Sequence, residues 1–301
     1  MPAGNVNFLP VYHGRINFAK QTREKLESMQ PNRIAIELPV DLQESIVTAI
    51  DRLPVLSIVG YMERDMMPRA RIVKRHDNEQ TADPNPYHVV LHSQYTYIPI
   101  HPGDPMIEAI RFARQQDIPV EFIDLAVDDY DPVYHALPDD EAITLVRDPK
   151  RFNELILSFM PRSDPGSLDH EREQFMAAHL RELVNRNERV LFISGYAHVN
   201  RIKHMLETGE TGETSSGIYH DEQQVFNIHP DSVDLALEEI PYFEYLFEAW
   251  RSVIKEGLDP ATFTSKITLG KFAFFQQEQR DRDATVPARE NASDQGGTVH
   301  G

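Results

Sequence analysis

The sequence predicts an α/β fold: a mainly parallel central sheet flanked by helices, with a long polar insertion and a helical C-terminal part. Three observations predict it. Short apolar runs alternate with stretches of helical periodicity, which is the pattern of βα units. A chain of 301 residues is long enough to bury a substantial core. Its 41% hydrophobic and 26% charged residues are ordinary for a globular protein.

The elements follow in order. "NFLPVYH" (7–13) reads as a strand, and Pro10 places it at an edge or makes its start irregular. "AKQTREKLESM" (19–29) reads as a helix and "RIAIEL" (33–38) as a strand. A helix over 41–53 follows, with Asp41 as its expected N-cap. "VLSIVGY" (55–61) is a third strand. Residues 62–86 are polar with little periodicity, and are expected to be a loop, a lid or a small insertion. "YHVVLHSQY" (87–95) resumes the sheet. A helix over 104–116 opens on Asp104-Pro105, a favourable N-cap and first position. "PVEFIDL" (119–125) is a strand, and 139–160 holds one or two short helices between prolines.

The clearest helix is 167–186, leading into a strand at 190–193 and an amphipathic run at 199–206. After a Gly/Thr/Ser-rich loop (208–217), "QVFNIHP" (224–230) reads as a strand and 241–257 as a C-terminal helix. Residues 1–275 are expected to form one domain, and the polar stretch 276–301 a disordered tail. A faint echo links "VYH…RIAIELP" to "GYAH…VFNIHP": a strand, a His at its end, a helix, then a strand ending near Pro.

Composition narrows the function. A formal net charge of −18 argues against a phosphate-tracking surface, so no nucleic-acid partner is expected. The absence of cysteine removes disulfides, thiol nucleophiles and Cys-ligated zinc, so any metal must be held by His, Asp and Glu. "MPAGNVNFLPVYHG" lacks a basic segment and a sustained apolar one, so no secretory signal is expected. No window approaches a membrane span, and cytoplasmic residence is the default. There is no G-x-S-x-G, no P-loop and no G-x-G-x-x-G.

Ligands of open parallel sheets bind outside the carboxyl ends of the strands. His13, Glu37, Asp124 and His198 all stand at such ends, and His229 ends a later strand. Glu37 is the most telling, because a carboxylate in "IAIEL" is costly to bury unless it is paired, hydrogen-bonded or metal-bound. His198 and His13 read either as chemistry or as caps of the following helix. On the 167–186 helix, Arg172 falls on the apolar stripe of Leu168, Phe175, Met176, His179 and Leu183, with Glu173 on its flank. An arginine so directed needs a carboxylate or an anionic ligand, unless its stem packs and its head reaches water.

These residues resemble a known family. "GYAHVNRIKHML" looks like the second GxxH motif of the TraB/TIKI/ChaN/EreA-like superfamily, and "HEREQFMAAHL" like its Arg-acidic-x-x-Met-Ala helix. "VYHGR" followed by "IAIELP" resembles its first His motif and Glu-bearing strand. "AIRFARQQDIPVEFIDL" is similar to a segment of its uncharacterised bacterial members. The resemblance covers most of residues 8–206, with one departure: Pro10 stands where a glycine is expected.

The resemblance implies an α/β fold and a hydrolase of peptidase or esterase type acting on a small molecule or peptide; other members bind haem. It implies His13 and His198 as the paired motif histidines, Glu37 as the motif carboxylate, and Arg172 with Glu173 as the helix motif. On that basis His13, Glu37 and His198 are expected to hold a divalent metal (Mn, Fe, Co or Zn) or to orient water. Glu173 is the expected general base, and Arg172 an oxyanion stabiliser or a partner of Glu37. A metal-free version uses His as base with Glu activating water. A haem-binding alternative takes His198, Tyr196 or His13 as axial ligand, and a third reading is an inactive scaffold.

Overall fold

The computed structural model of the protein describes residues 6–62, 69–74, 87–92, 95–127, 138, 149–160, 167–186, 188–214, 220–237 and 239–255. Four strands form the central sheet: β1 (Val6–Val11), β2 (Arg33–Pro39), β7 (Val120–Asp124) and β8 (Val190–Gly195). All pair in parallel, in the order β1-β8-β2-β7. β1 is an edge strand, so Pro10 removes no ladder bond from the sheet interior.

Alternation along β2 assigns its faces. Ile34 and Ile36 enter one apolar cluster with Phe18 and Leu26 of α1 (Ile16–Met29) and Ile107 and Ile110 of α3 (Pro105–Gln116). Ala35 enters the opposite cluster with Met176 and Leu180 of α5 (Leu168–Asn185) and Ile202 and Met205 of α6 (Tyr196–Thr208). Burial of each of the larger of these side chains contributes roughly 1.5–3 kcal/mol. A period of two then turns Glu37 to the α5/α6 side.

Helix starts follow local chemistry. Ser167 caps α5 by accepting from His170 N, and Asp104 caps α3 by accepting from Met106 N and Ile107 N, as its Asp-Pro pair predicts. Asp41 does not take the expected cap position. A 3-10 turn (Val40–Leu42) precedes α2 (Gln43–Ile50), and Asp41 instead accepts from the backbone N–H of His220 at 2.7 Å and faces its ring at 2.9 Å. Those two bonds outweigh one exposed helix end.

The third and later strands leave the parallel sheet. β3 (Ser57–Met62) pairs antiparallel with β6 (Tyr95–Ile100) and β9 (Asp221–Asn227), in the order β6-β3-β9. The expected insertion at 62–86 contains β4 (Arg69–Lys74), paired antiparallel with β5 (Tyr87–His92). The expected single strand at 87–95 is therefore two. A helix α4 (Pro149–Phe159) buries Phe152 and Ile156, while 139–148 lies outside the described residues. The C-terminal helix α7 (Pro241–Lys255) packs Leu246, Phe247 and Trp250 on Ile16 and Ala19 of α1. The expected tail, 276–301, lies outside the described residues. Among the described residues no helix is long and apolar enough to cross a membrane.

Candidate functional site

β1 leads into α1 on one face of the sheet, whereas its neighbour β8 leads into α6 on the other. Chain departing to opposite faces from adjacent parallel strands opens a crevice at their carboxyl ends. His13 follows β1, Gly195 ends β8, Glu37 lies near the end of β2 and Asp124 ends β7. His198 sits in the first turn of α6. Sheet topology alone brings these residues to one edge.

Glu37 is the hub. Its Oε2 accepts from the backbone N–H of Gly195 at 2.7 Å, where the positive end of α6 favours a carboxylate. Its Oε1 accepts from Arg172 Nη2 at 3.1 Å and lies 3.2 Å from His198 Nε2. The other nitrogen of His198, Nδ1, is 3.0 Å from Glu173 Oε1. Arg172 also grips Asp124 with two bonds, Nε to Oδ1 at 3.1 Å and Nη2 to Oδ2 at 2.7 Å, and reaches Asp169 Oδ1 at 2.9 Å. The planar fork of arginine is suited to holding several carboxylates at fixed angles. Behind Glu173 stands Arg201, with Nε 3.4 Å from Glu173 Oε2 and Nη2 2.6 Å from His170 Nδ1.

Titration follows from these contacts. Burial alone would push the Glu37 carboxyl up, but the charge and bond of His198, then the charges of Arg172 and His13, hold it well below the usual carboxylate range. Burial alone would push His198 down. Glu37's charge and the bonds to Glu173 and Glu37 reverse that and raise its ring to about 10. Glu37 is therefore a fixed anion and His198 a fixed imidazolium near neutral pH.

The structure brings together Glu37, Arg172, Glu173 and His198, and adds Asp124, which the sequence left open. Glu173 is 1% exposed and sits beneath His198 rather than at the surface of the site. His13 lies within electrostatic reach of Glu37, with Nδ1 3.8 Å from Asp104 Oδ2 and a side chain 47% exposed. His229 does not join them: its side chain is 72% exposed, and its Nδ1 accepts from Asp231 N in a surface turn. Sequence reasoning missed Asp169, His170 and Arg201. Asp169 precedes Arg172 by three residues, a helical spacing, and was visible in that sense, whereas His170 carried no such signal and Arg201 none apart from its position one turn after His198.

The fit of a metal turns on the same contacts. Both ring nitrogens of His198 face carboxylates, and the guanidinium of Arg172 takes up the space between Glu37 and Asp124. Among the described residues, no group of three His, Asp or Glu side chains is placed to hold a metal ion. As arranged, the donor set fits a cationic side chain better than a divalent ion. For haem, Tyr196 OH donates to Asn153 Oδ1 and His198 is engaged on both sides, which leaves His13 as the exposed ring of the three expected ligands.

No protein-family model, curated protein or solved structure matches this chain.

Proposed function

We propose that the chain is a hydrolase of the peptidase or esterase type in which His13 moves the proton and Glu37 fixes the charge beside it. The observation that carries this is the contrast between its two motif histidines. His198 is buried and held as a cation between two carboxylates, whereas the His13 side chain is 47% exposed and within electrostatic reach of the ionised Glu37. A ring that exchanges protons with a substrate must meet it, and a ring fixed as an imidazolium is no base.

In this reading His13 takes a proton from water as the water oxygen attacks an ester or amide carbonyl. The same ring returns the proton to the leaving oxygen or nitrogen. Glu37 stabilises the imidazolium formed on His13 in between, while Arg172, His198 and Gly195 N–H keep Glu37 ionised and oriented. General acid–base catalysis of this kind contributes roughly 10²–10⁴-fold. The acidic chain, its formal net charge −18, favours neutral or cationic substrates over polyanions.

The test is a panel of aryl esters and short peptides with wild type, His13→Ala and Glu37→Gln, each checked for fold by circular dichroism. Loss of hydrolysis in both folded variants is expected; full activity in Glu37→Gln would sink the proposal. Metal content by plasma mass spectrometry, on wild type and His198→Ala purified without chelator, separates the metal-dependent form. Near-stoichiometric metal, lost in the variant, would replace the mechanism above. A Soret band on haem titration would replace it with haem binding.

A further inference from the structure

Asp104 carries more than a helix cap. Its Oδ1 does the capping, accepting from Met106 N at 2.8 Å and Ile107 N at 3.0 Å. Its Oδ2 is turned away from α3, accepts from Gly14 N at 2.9 Å and faces His13 Nδ1 at 3.8 Å. The side chain is buried, so one carboxylate fastens the start of α3 to the turn after β1. That turn depends on Gly14, whose φ of 61° lies in the left-handed region.

The loop bearing Asp104 is itself braced by α7. Glu244 accepts from Gly103 N at 2.6 Å and lies 2.9 Å from His101 Nδ1, all buried. A side chain at position 103 would have to displace its neighbours, since a Cβ there would meet Glu244 Oε1 at 2.3 Å and Ile16 Cγ1 at 2.7 Å. Burial alone would raise the Asp104 carboxyl. His13 at 3.8 Å, the charge of His101 and the Gly14 N–H lower it to about 2 instead.

We propose that Asp104 is a positioning residue: through Gly14 and His13 it fixes where the imidazole of His13 stands at the carboxyl end of β1, and Glu244 holds the Asp104 loop in turn. This rests on the reading of His13 as the group that meets substrate. A cap alone would need only Oδ1. The second oxygen, aimed at a residue 90 positions earlier, is what a cap does not explain.

Asp104→Asn separates the two roles. Asparagine caps a helix about as well as aspartate, so Met106 and Ile107 keep an acceptor. Its amide nitrogen replaces Oδ2 and cannot accept from Gly14 N. The experiment is NMR on the labelled full chain, with the His13 ring resonance assigned through His13→Gln and the exposed His229 as a surface reference. The order parameter of the His13 ring is expected to be higher in wild type than in Asp104→Asn. Exchange of the Gly14 amide should accelerate in step, while amides of α5 do not change.

On a hydrolysed substrate, kcat should fall about 10–100-fold with little change in KM. Wild-type ring order and Gly14 protection in Asp104→Asn would overturn the proposal. So would loss of order with undiminished kcat, because the ring would then work unheld. If the wild type hydrolyses nothing in the panel, the hydrolase reading fails separately and ring order still decides whether Asp104 holds His13.

Discussion

Replacing Arg172 by Met keeps a stem of similar length and removes the guanidinium from among three carboxylates. Asp124 would lose both arms of its fork and keep, among the bonds described above and its own loop, the N–H of Leu125. Glu37 would lose one bond and keep Gly195 N–H and His198. Asp169 is partly exposed and should matter little. Stranding one buried carboxylate costs about 3–5 kcal/mol. For a chain of this length, at about 2 °C per kcal/mol, the melting temperature should fall by about 6–10 °C.

The pH dependence has a definite sign. The wild-type Glu37 carboxyl is held below its usual range, so its contribution is present above the unfolded value, about 4.3, and is lost as pH falls through the folded one. In Arg172→Met part of that depression is gone, so the variant loses less on acidification. The gap in melting temperature, followed by circular dichroism, should narrow as pH falls below about 4. A double variant with Asp124→Leu should recover most of the loss, since apolar replacement of a whole buried pair is often neutral. A gap under about 2 °C at pH 7, or one that widens in acid, would refute the reasoning.

Three further outcomes are expected. His198 is raised to about 10, so the stability it gives over His198→Gln is fully present below its unfolded value near 6.5 and lost as pH rises through about 10; a gap in urea midpoints that stays constant from pH 6 to 10.5 would contradict this. Glu108, fully buried between Arg23 and Arg251, ties α7 to α1 and α3, and Glu108→Ala should cost about 3–5 kcal/mol. Trp250 is the chain's one tryptophan and is buried on that contact, so its emission should shift red, and an unshifted spectrum would count against the tie. Gly14→Ala places a Cβ at a left-handed position and should cost about 1–2 kcal/mol in chemical unfolding; a neutral effect would mean the turn relaxes.

The parallel sheet was legible because its strands are covered on both faces. "RIAIEL" and "VLFIS" are apolar runs too short for helices, set between helical stretches, and that pattern admits few alternatives. The antiparallel sheets were not legible for a physical reason. β3 meets Asn227 with Ser57 and Tyr95 with Met62, and nothing local to "SIVGYM" names those partners. β4, "RARIVK", alternates arginine with apolar residues and so looked polar. Within the site, strand-end residues announced themselves by standing in apolar runs. Asp104 gave only its capping signal, because the use of its second oxygen depends on a turn 90 residues away.

The charge arrangement explains why so many ionised groups tolerate burial here, and it divides the labour of the two histidines. Asp124, Arg172, Glu37, His198, Glu173 and Arg201 form an alternating line of three anions and three cations, in which neighbours along the line carry opposite signs. Charges so interleaved offset one another's desolvation, which isolated ones cannot do. The balance holds only while His198 keeps its proton. Giving that proton to a substrate would leave a net buried anion, and the surrounding carboxylates oppose that by raising the ring's affinity for it. A histidine that completes a buried ion row is therefore poorly suited to shuttling protons. His13 stands outside the row with 47% of its side chain exposed, so its proton can pass to water directly while the ring stays within electrostatic reach of Glu37.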